Sequence, residues 1–123
     1  MLTLNKYDYI KQEEFNRISD QRWKIVAILV NKKPISVATN SLRKTNVFTS
    51  RFNSDRKMHA EIRCIMKSPR SKVKNSTLYI WRLNKNNKYC NSRPCEMCMK
   101  FIKDVGIKKI IYTTDDNYGE ERI

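Results

Sequence analysis

A chain of 123 residues with 40% apolar content can build one modest core, which sets the expectation of a single domain over residues 1–123. Its 26 Lys and Arg against 12 Asp and Glu leave a formal charge of +14, a balance that points to a phosphate-rich partner rather than a neutral metabolite. The longest apolar run, residues 25–30, falls far short of the roughly 18 to 20 residues of a membrane span, and the first residues lack the apolar core of a signal peptide. A soluble cytoplasmic or otherwise intracellular protein with no membrane partner is therefore expected.

In chain order, Tyr7, Ile10, Phe15 and Ile18 recur at roughly helical spacing and predict an amphipathic helix over about residues 6–21. Residues 23–30 read as a strand buried on both faces. After a turn-like stretch at residues 31–34, Ile35, Val37 and Thr39 alternate with small residues as a second strand, so the two form a hairpin. Residues 41–56 are polar and basic, with Phe48 and Phe52 inserted, and read as a loop. Met58, Ile62, Ile65 and Met66 mark one face of a second helix, with Ser54 or Asp55 as N-cap and His59 in its first turn. Residues 77–83 give a third strand and residues 84–93 a polar loop. Pro94 suits the first position of a third helix that shows Cys98, Phe101, Ile102 and Val105 on one face and ends at Gly106. Residues 108–113 give a fourth strand, with room for a short antiparallel fifth near residues 121–123. The order α-β-β-α-β-α-β describes an α/β fold: a three-layer α/β/α sandwich with a mixed sheet of four to five strands.

The charge is uneven. Residues 41–103 hold sixteen basic and three acidic side chains, while the last twenty residues are net acidic. Arg43, Lys44, Arg51 and Arg56 are candidate phosphate or strand contacts. Phe48, Phe52, Trp81 and Tyr89 lie in or near basic loops and are the aromatics best placed to stack on bases, whereas Trp23, Tyr79 and Tyr112 read as packing residues.

Four cysteines with no sign of an oxidising compartment favour metal binding or free thiols over disulfides. His59-Ala60-Glu61 opens one helix and Pro94-Cys95-Glu96-Met97-Cys98 opens another. Three apart on a helix, the sulfurs of Cys95 and Cys98 project on one face, and a helix N-terminus favours their thiolates. His59, Cys95 and Cys98 supply three metal ligands and leave a fourth position open, the arrangement of a catalytic zinc. Glu61, not needed as a ligand, is placed to move protons.

The paired H-A-E and P-C-E-M-C motifs resemble those of the zinc-dependent cytidine and deoxycytidylate deaminase superfamily. The resemblance implies that His59, Cys95 and Cys98 bind Zn²⁺ and that Glu61 shuttles the proton while water attacks C4 of cytosine or C6 of adenine and ammonia leaves. It also implies a sugar contact from Asn40, at the end of the second strand, and a substrate-facing backbone amide at Ala60. The charge favours a phosphate-bearing substrate and the short segment after Thr113 a small one, so a cytidine or deoxycytidine nucleotide is the first expectation. Cytosine or adenine in single-stranded DNA or RNA, tRNA included, is the second. Cys90, five residues before Cys95, supports a third reading: a closed Cys₃His zinc that staples a non-catalytic nucleic-acid-binding module. Cys64 is expected to be a small core residue, and relatives often form homo-oligomers.

Overall fold

The structure, a computed structural model, describes residues 6–19, 23–40 and 59–123. Its elements are helix α1 (Asp8–Arg17), strands β1 (Lys24–Asn31) and β2 (Lys33–Thr39), helix α2 (Ala60–Lys67), a single turn α3 (Arg70–Val73), strand β3 (Thr77–Leu83), helix α4 (Glu96–Asp104), and strands β4 (Lys109–Thr113) and β5 (Tyr118–Arg122). One mixed sheet runs in the order β2-β1-β3-β4-β5. β1 is antiparallel to β2 and β3, β3 is parallel to β4, and β5 returns antiparallel along β4. The fold is α/β, a five-stranded mixed sheet between helices.

Strand parity sorts the core into two layers. Val26, Ile28, Val30, Tyr79, Trp81 and Ile111 face α1, where they meet Tyr7 and Phe15. The alternate residues Ala27, Leu29, Leu78, Ile80, Ile110 and Tyr112 face the other helices, meeting Cys64 and Ile65 of α2, Val73 of α3, and Met99 and Ile102 of α4. A central strand covered on both faces has no polar side, which is why residues 26–30 are apolar without alternation. Cys64 is part of this packing, and burial pushes its thiol up to about 11.

Several sequence expectations are corrected here. The β1–β2 turn is tighter than residues 31–34: Lys32 alone takes a left-handed φ of 69°, and Asn31 pairs with Lys33. Pro34 lies inside β2 at a register shift opposite Val30, tolerated because β2 is an edge strand whose missing N–H costs no ladder bond. The outward carbonyls of β2 are met from α2, where Arg63 Nη1 donates to Thr39 O (2.8 Å) and Lys67 Nζ to Val37 O (2.7 Å). Trp81 is no stacking platform; it is fully buried and stacked on Tyr79, because its parity puts it under α1. Tyr89 is half-exposed, with its hydroxyl hydrogen-bonded to the ammonium of the buried Lys11.

The polar stretch after β3 is built rather than open. Asn84 Oδ1 accepts from the amides of Asn86 and Lys88, Asn87 turns with φ 60°, and Leu83 bridges Tyr89, so the chain doubles back along β3. A buried knot then anchors it: Ser92 Oγ donates to Ile80 O (3.0 Å) and accepts from the Thr113 amide (2.8 Å). Thr113 Oγ1 donates to Cys90 O (2.8 Å) and accepts from the Arg82 amide (3.2 Å). Helix α4 ends in paired bonds from Gly106 N to Lys103 O and from Ile107 N to Ile102 O, a closure that needs the positive φ of 92° at Gly106.

At the far edge, Arg93 Nε and Nη2 donate to the Glu121 carboxylate (2.5 and 3.0 Å), and Tyr112 Oη adds a third bond (2.6 Å). This clasp ties β5 to the segment leading into Cys95. Gly119 is required beneath it, since a Cβ there would stand 2.6 Å from the Tyr112 ring. The bonds from Arg93 and Tyr112 hold the Glu121 carboxyl down at about 2, from an ordinary 4.5. A depressed carboxyl stabilises the fold above its unfolded value, so the contribution of the clasp is complete above about pH 5 and is lost as pH falls toward about 2. Thermal midpoints of wild type and Glu121→Gln should differ at about pH 6 and converge by about pH 2; a difference that stays constant with pH would contradict the clasp.

Candidate metal centre

Helices α2 and α4 both begin at the same end of the sheet. His59 is the N-cap of α2 and Cys95 the N-cap of α4, each in extended backbone (φ −71°, ψ 137° and φ −66°, ψ 168°). Their carbonyls accept the first helical bonds, from Arg63 N (3.1 Å) and Met99 N (2.8 Å). A polar N-cap side chain ordinarily folds back onto its own helix; neither of these does, so both donor groups are free to face the gap between the helices. Two expectations change accordingly. His59 caps its helix rather than lying in the first turn, and Pro94 precedes the cap of α4 rather than opening the helix. Ser54, Asp55 and Met58 lie outside the described residues.

Across this gap His59 Nδ1 stands 3.2 Å from Cys98 Sγ and 3.9 Å from Cys95 Sγ, and the three donor atoms all lie within 4.8 Å of one another. A tetrahedral zinc, with Zn–S of about 2.3 Å and Zn–N of about 2.0 Å, requires N···S and S···S separations of roughly 3.5 to 3.8 Å. The donor set fits zinc in kind and in spacing. Among the described residues no fourth His, Cys, Asp or Glu joins the group. Cys90 does not: its thiol points back toward Arg82 O (3.9 Å), so the closed Cys₃His arrangement is not formed.

Cys98 is fully buried, and burial, with the Glu61 and Cys95 charges beside it, pushes its thiol up. Zinc binding at this sulfur therefore displaces a proton. Glu61, at the second position of α2, is also buried, and its carboxyl is raised by burial against the opposing pull of His59 and Arg82. A buried carboxyl poised to hold a proton therefore stands beside the three donors. Ala60, fully buried at the first position of α2, puts its amide in the same helix start.

Asn40 is placed at the end of β2 with both polar atoms of its side chain on the start of β1 and the residue before it: Oδ1 accepts from Ile25 N (3.0 Å) and Nδ2 donates to Trp23 O (3.1 Å). These bonds fix it at the sheet end nearest the site. Arg43, Lys44, Arg51, Arg56, Phe48 and Phe52 lie outside the described residues. Sequence reasoning passed over Arg82, whose charge reaches Glu61, and the Ser92–Thr113 knot that positions Cys95. Arg82 had a signal: a cation two residues after Ile80 on one strand face.

The profile of the cytidine and deoxycytidylate deaminase zinc-binding region matches residues 7–114. The chain belongs to that family, and the matched span takes in α1 through β4 and both motifs. No curated protein matches the chain as a relative. Among the described residues no helix is long and apolar enough to cross a membrane.

Purified protein loaded with zinc should carry about one ion per chain, and Cys98→Ala should carry close to none, whereas Cys90→Ser should keep a full complement. Elemental analysis after gel filtration checks this; loss of zinc in Cys90→Ser would restore the closed site.

Proposed function

We propose that the protein is a zinc-dependent hydrolytic deaminase that converts cytosine to uracil in a cytidine or deoxycytidine nucleotide, releasing ammonia. The carrying observation is the convergence of His59, Cys95 and Cys98 on one point, beside a buried carboxyl that is not part of the donor set. His59 Nδ1 and the two thiolates would hold the ion. Zinc bound there supplies Lewis-acid activation of a water at neutral pH.

The remaining work falls to the chain. Glu61 takes a proton from the attacking water and delivers it to ring N3 as the C4–O bond forms; it then takes the proton of the new C4 hydroxyl and passes it to the exocyclic amine, so that the C4–N bond breaks, the C4 carbonyl forms and ammonia departs. Burial suits the carboxyl to this cycle, because it must hold a proton between steps and release it to a base that becomes more basic. The amides at the start of α2, Ala60 among them, add donors without helical partners beside the reacting ring.

The preference for a phosphate-bearing substrate rests on the charge: sixteen basic against three acidic side chains over the stretch that contains both motifs. A second reading, cytosine within single-stranded nucleic acid, draws support from a groove of about 640 Å³ beside α4, lined by Arg93, Glu96, Met97, Met99, Lys100 and Lys103.

Glu61→Gln should lower ammonia release from cytidine nucleotides by at least about a hundredfold while retaining zinc. Steady-state release is measured on free nucleotides and on a single-stranded oligonucleotide in parallel. Turnover of the oligonucleotide alone would favour the second reading, and turnover unchanged by Glu61→Gln would overturn the mechanism.

A further inference from the structure

The site face of the sheet ends in a cross-strand row. Asn40 of the β2 end bonds to Ile25 of β1, and Ile25 pairs with Arg82 of β3. Arg82 shares its parity with Leu78 and Ile80, which pack under α2 and α4, so its side chain leaves the sheet on the side of His59 and Glu61. Its charge acts on the Glu61 carboxyl.

The guanidinium carbon stands 4.9 Å from the centroid of the Trp23 indole, a cation–π contact, and Trp23 is 41% exposed. A cation–π contact of this kind restrains the guanidinium without using its N–H groups. Those groups are poorly spent. Nη1 makes one long bond to Asn91 O (3.4 Å), and Nε is buried with no partner among the described residues. Every Arg and Lys ion pair of the described residues is made elsewhere, so Arg82 has no carboxylate of those residues within 4 Å. A half-buried guanidinium with no carboxylate partner among the described residues, whose charge reaches the buried carboxyl of the site, has its Nη groups left to meet an anion.

We propose that Arg82, restrained by Trp23, reads the 5′-phosphate of the nucleotide substrate and so selects nucleotide over nucleoside. This inference rests on the deaminase reading above and adds a specificity residue to it. Asn40 and Ile25 act as the platform: Asn40 Nδ2 holds the Trp23 carbonyl, which sets the indole beneath the guanidinium.

The test uses the zinc-loaded full chain with Glu61→Gln, which binds without turnover, and calorimetric titration with deoxycytidine 5′-monophosphate and with deoxycytidine. The expected result is a preference for the monophosphate of about ten- to a hundredfold. Adding Arg82→Gln should remove that preference and leave deoxycytidine affinity within about twofold, while Arg82→Lys and Trp23→Phe should each retain part of it. Three results would overturn the proposal: no monophosphate preference in the Glu61→Gln parent, a preference that survives Arg82→Gln, or an equal loss for both ligands. The conservative Arg82→Lys keeps the test decisive if Arg82→Gln does not fold. The deaminase reading fails separately, on absence of ammonia release from protein with Glu61 intact, a measurement that does not depend on Arg82.

Discussion

Two helix starts facing each other across one end of a sheet are the constraint on which the rest of the molecule depends. His59 and Cys95 occupy N-cap positions, where a serine or aspartate would spend its side chain on its own helix, and neither side chain is spent that way. The donors thus come with first-turn amides that have no acceptor within their own helix ladder, and the second and third positions of the two helices, Glu61 and Cys98, are carried into the same gap. A metal-sized cluster and a buried carboxyl follow from the same two backbone turns.

The surrounding architecture serves to keep those starts in register. Helices α2 and α4 rest on one layer of the sheet through Cys64, Ile65, Met99 and Ile102, so their relative placement is fixed by a packed core rather than by the metal alone. The segment entering Cys95 is tied twice, by the buried Ser92–Thr113 knot to β3 and β4 and by the Arg93–Glu121–Tyr112 clasp to β5. The fifth strand, remote from the donors in sequence, thereby bears on the loop that presents one of them. On the opposite face, α1 covers Trp81 and Tyr79 and leaves the site side clear.

Much of this was legible in the sequence, for identifiable reasons. Continuous apolar runs mark strands covered on both sides, a Gly in the right place marks a helix end, and the two short motifs concentrate the chemistry in eight residues. What escaped were features that depend on partners far along the chain. The role of Trp81 turned on strand parity and register, which a one-residue shift reverses. The helix starts expected from a Ser or Asp cap for α2 and from Pro94 at the first position for α4 fall a residue or more early, because the ligands His59 and Cys95 themselves take the caps. The hairpin within residues 84–93 and the knot at Ser92 are made by hydrogen bonds to β3 and β4 that composition cannot register.

The central claim is that three side chains hold one zinc and leave a position open for chemistry. X-ray absorption at the zinc edge of the loaded protein tests it most directly. The account predicts two sulfur neighbours at about 2.3 Å and two nitrogen or oxygen neighbours at about 2.0 Å, one of them exchangeable with solvent. A shell of three sulfurs and one nitrogen with no exchangeable neighbour would place Cys90 on the metal and contradict it.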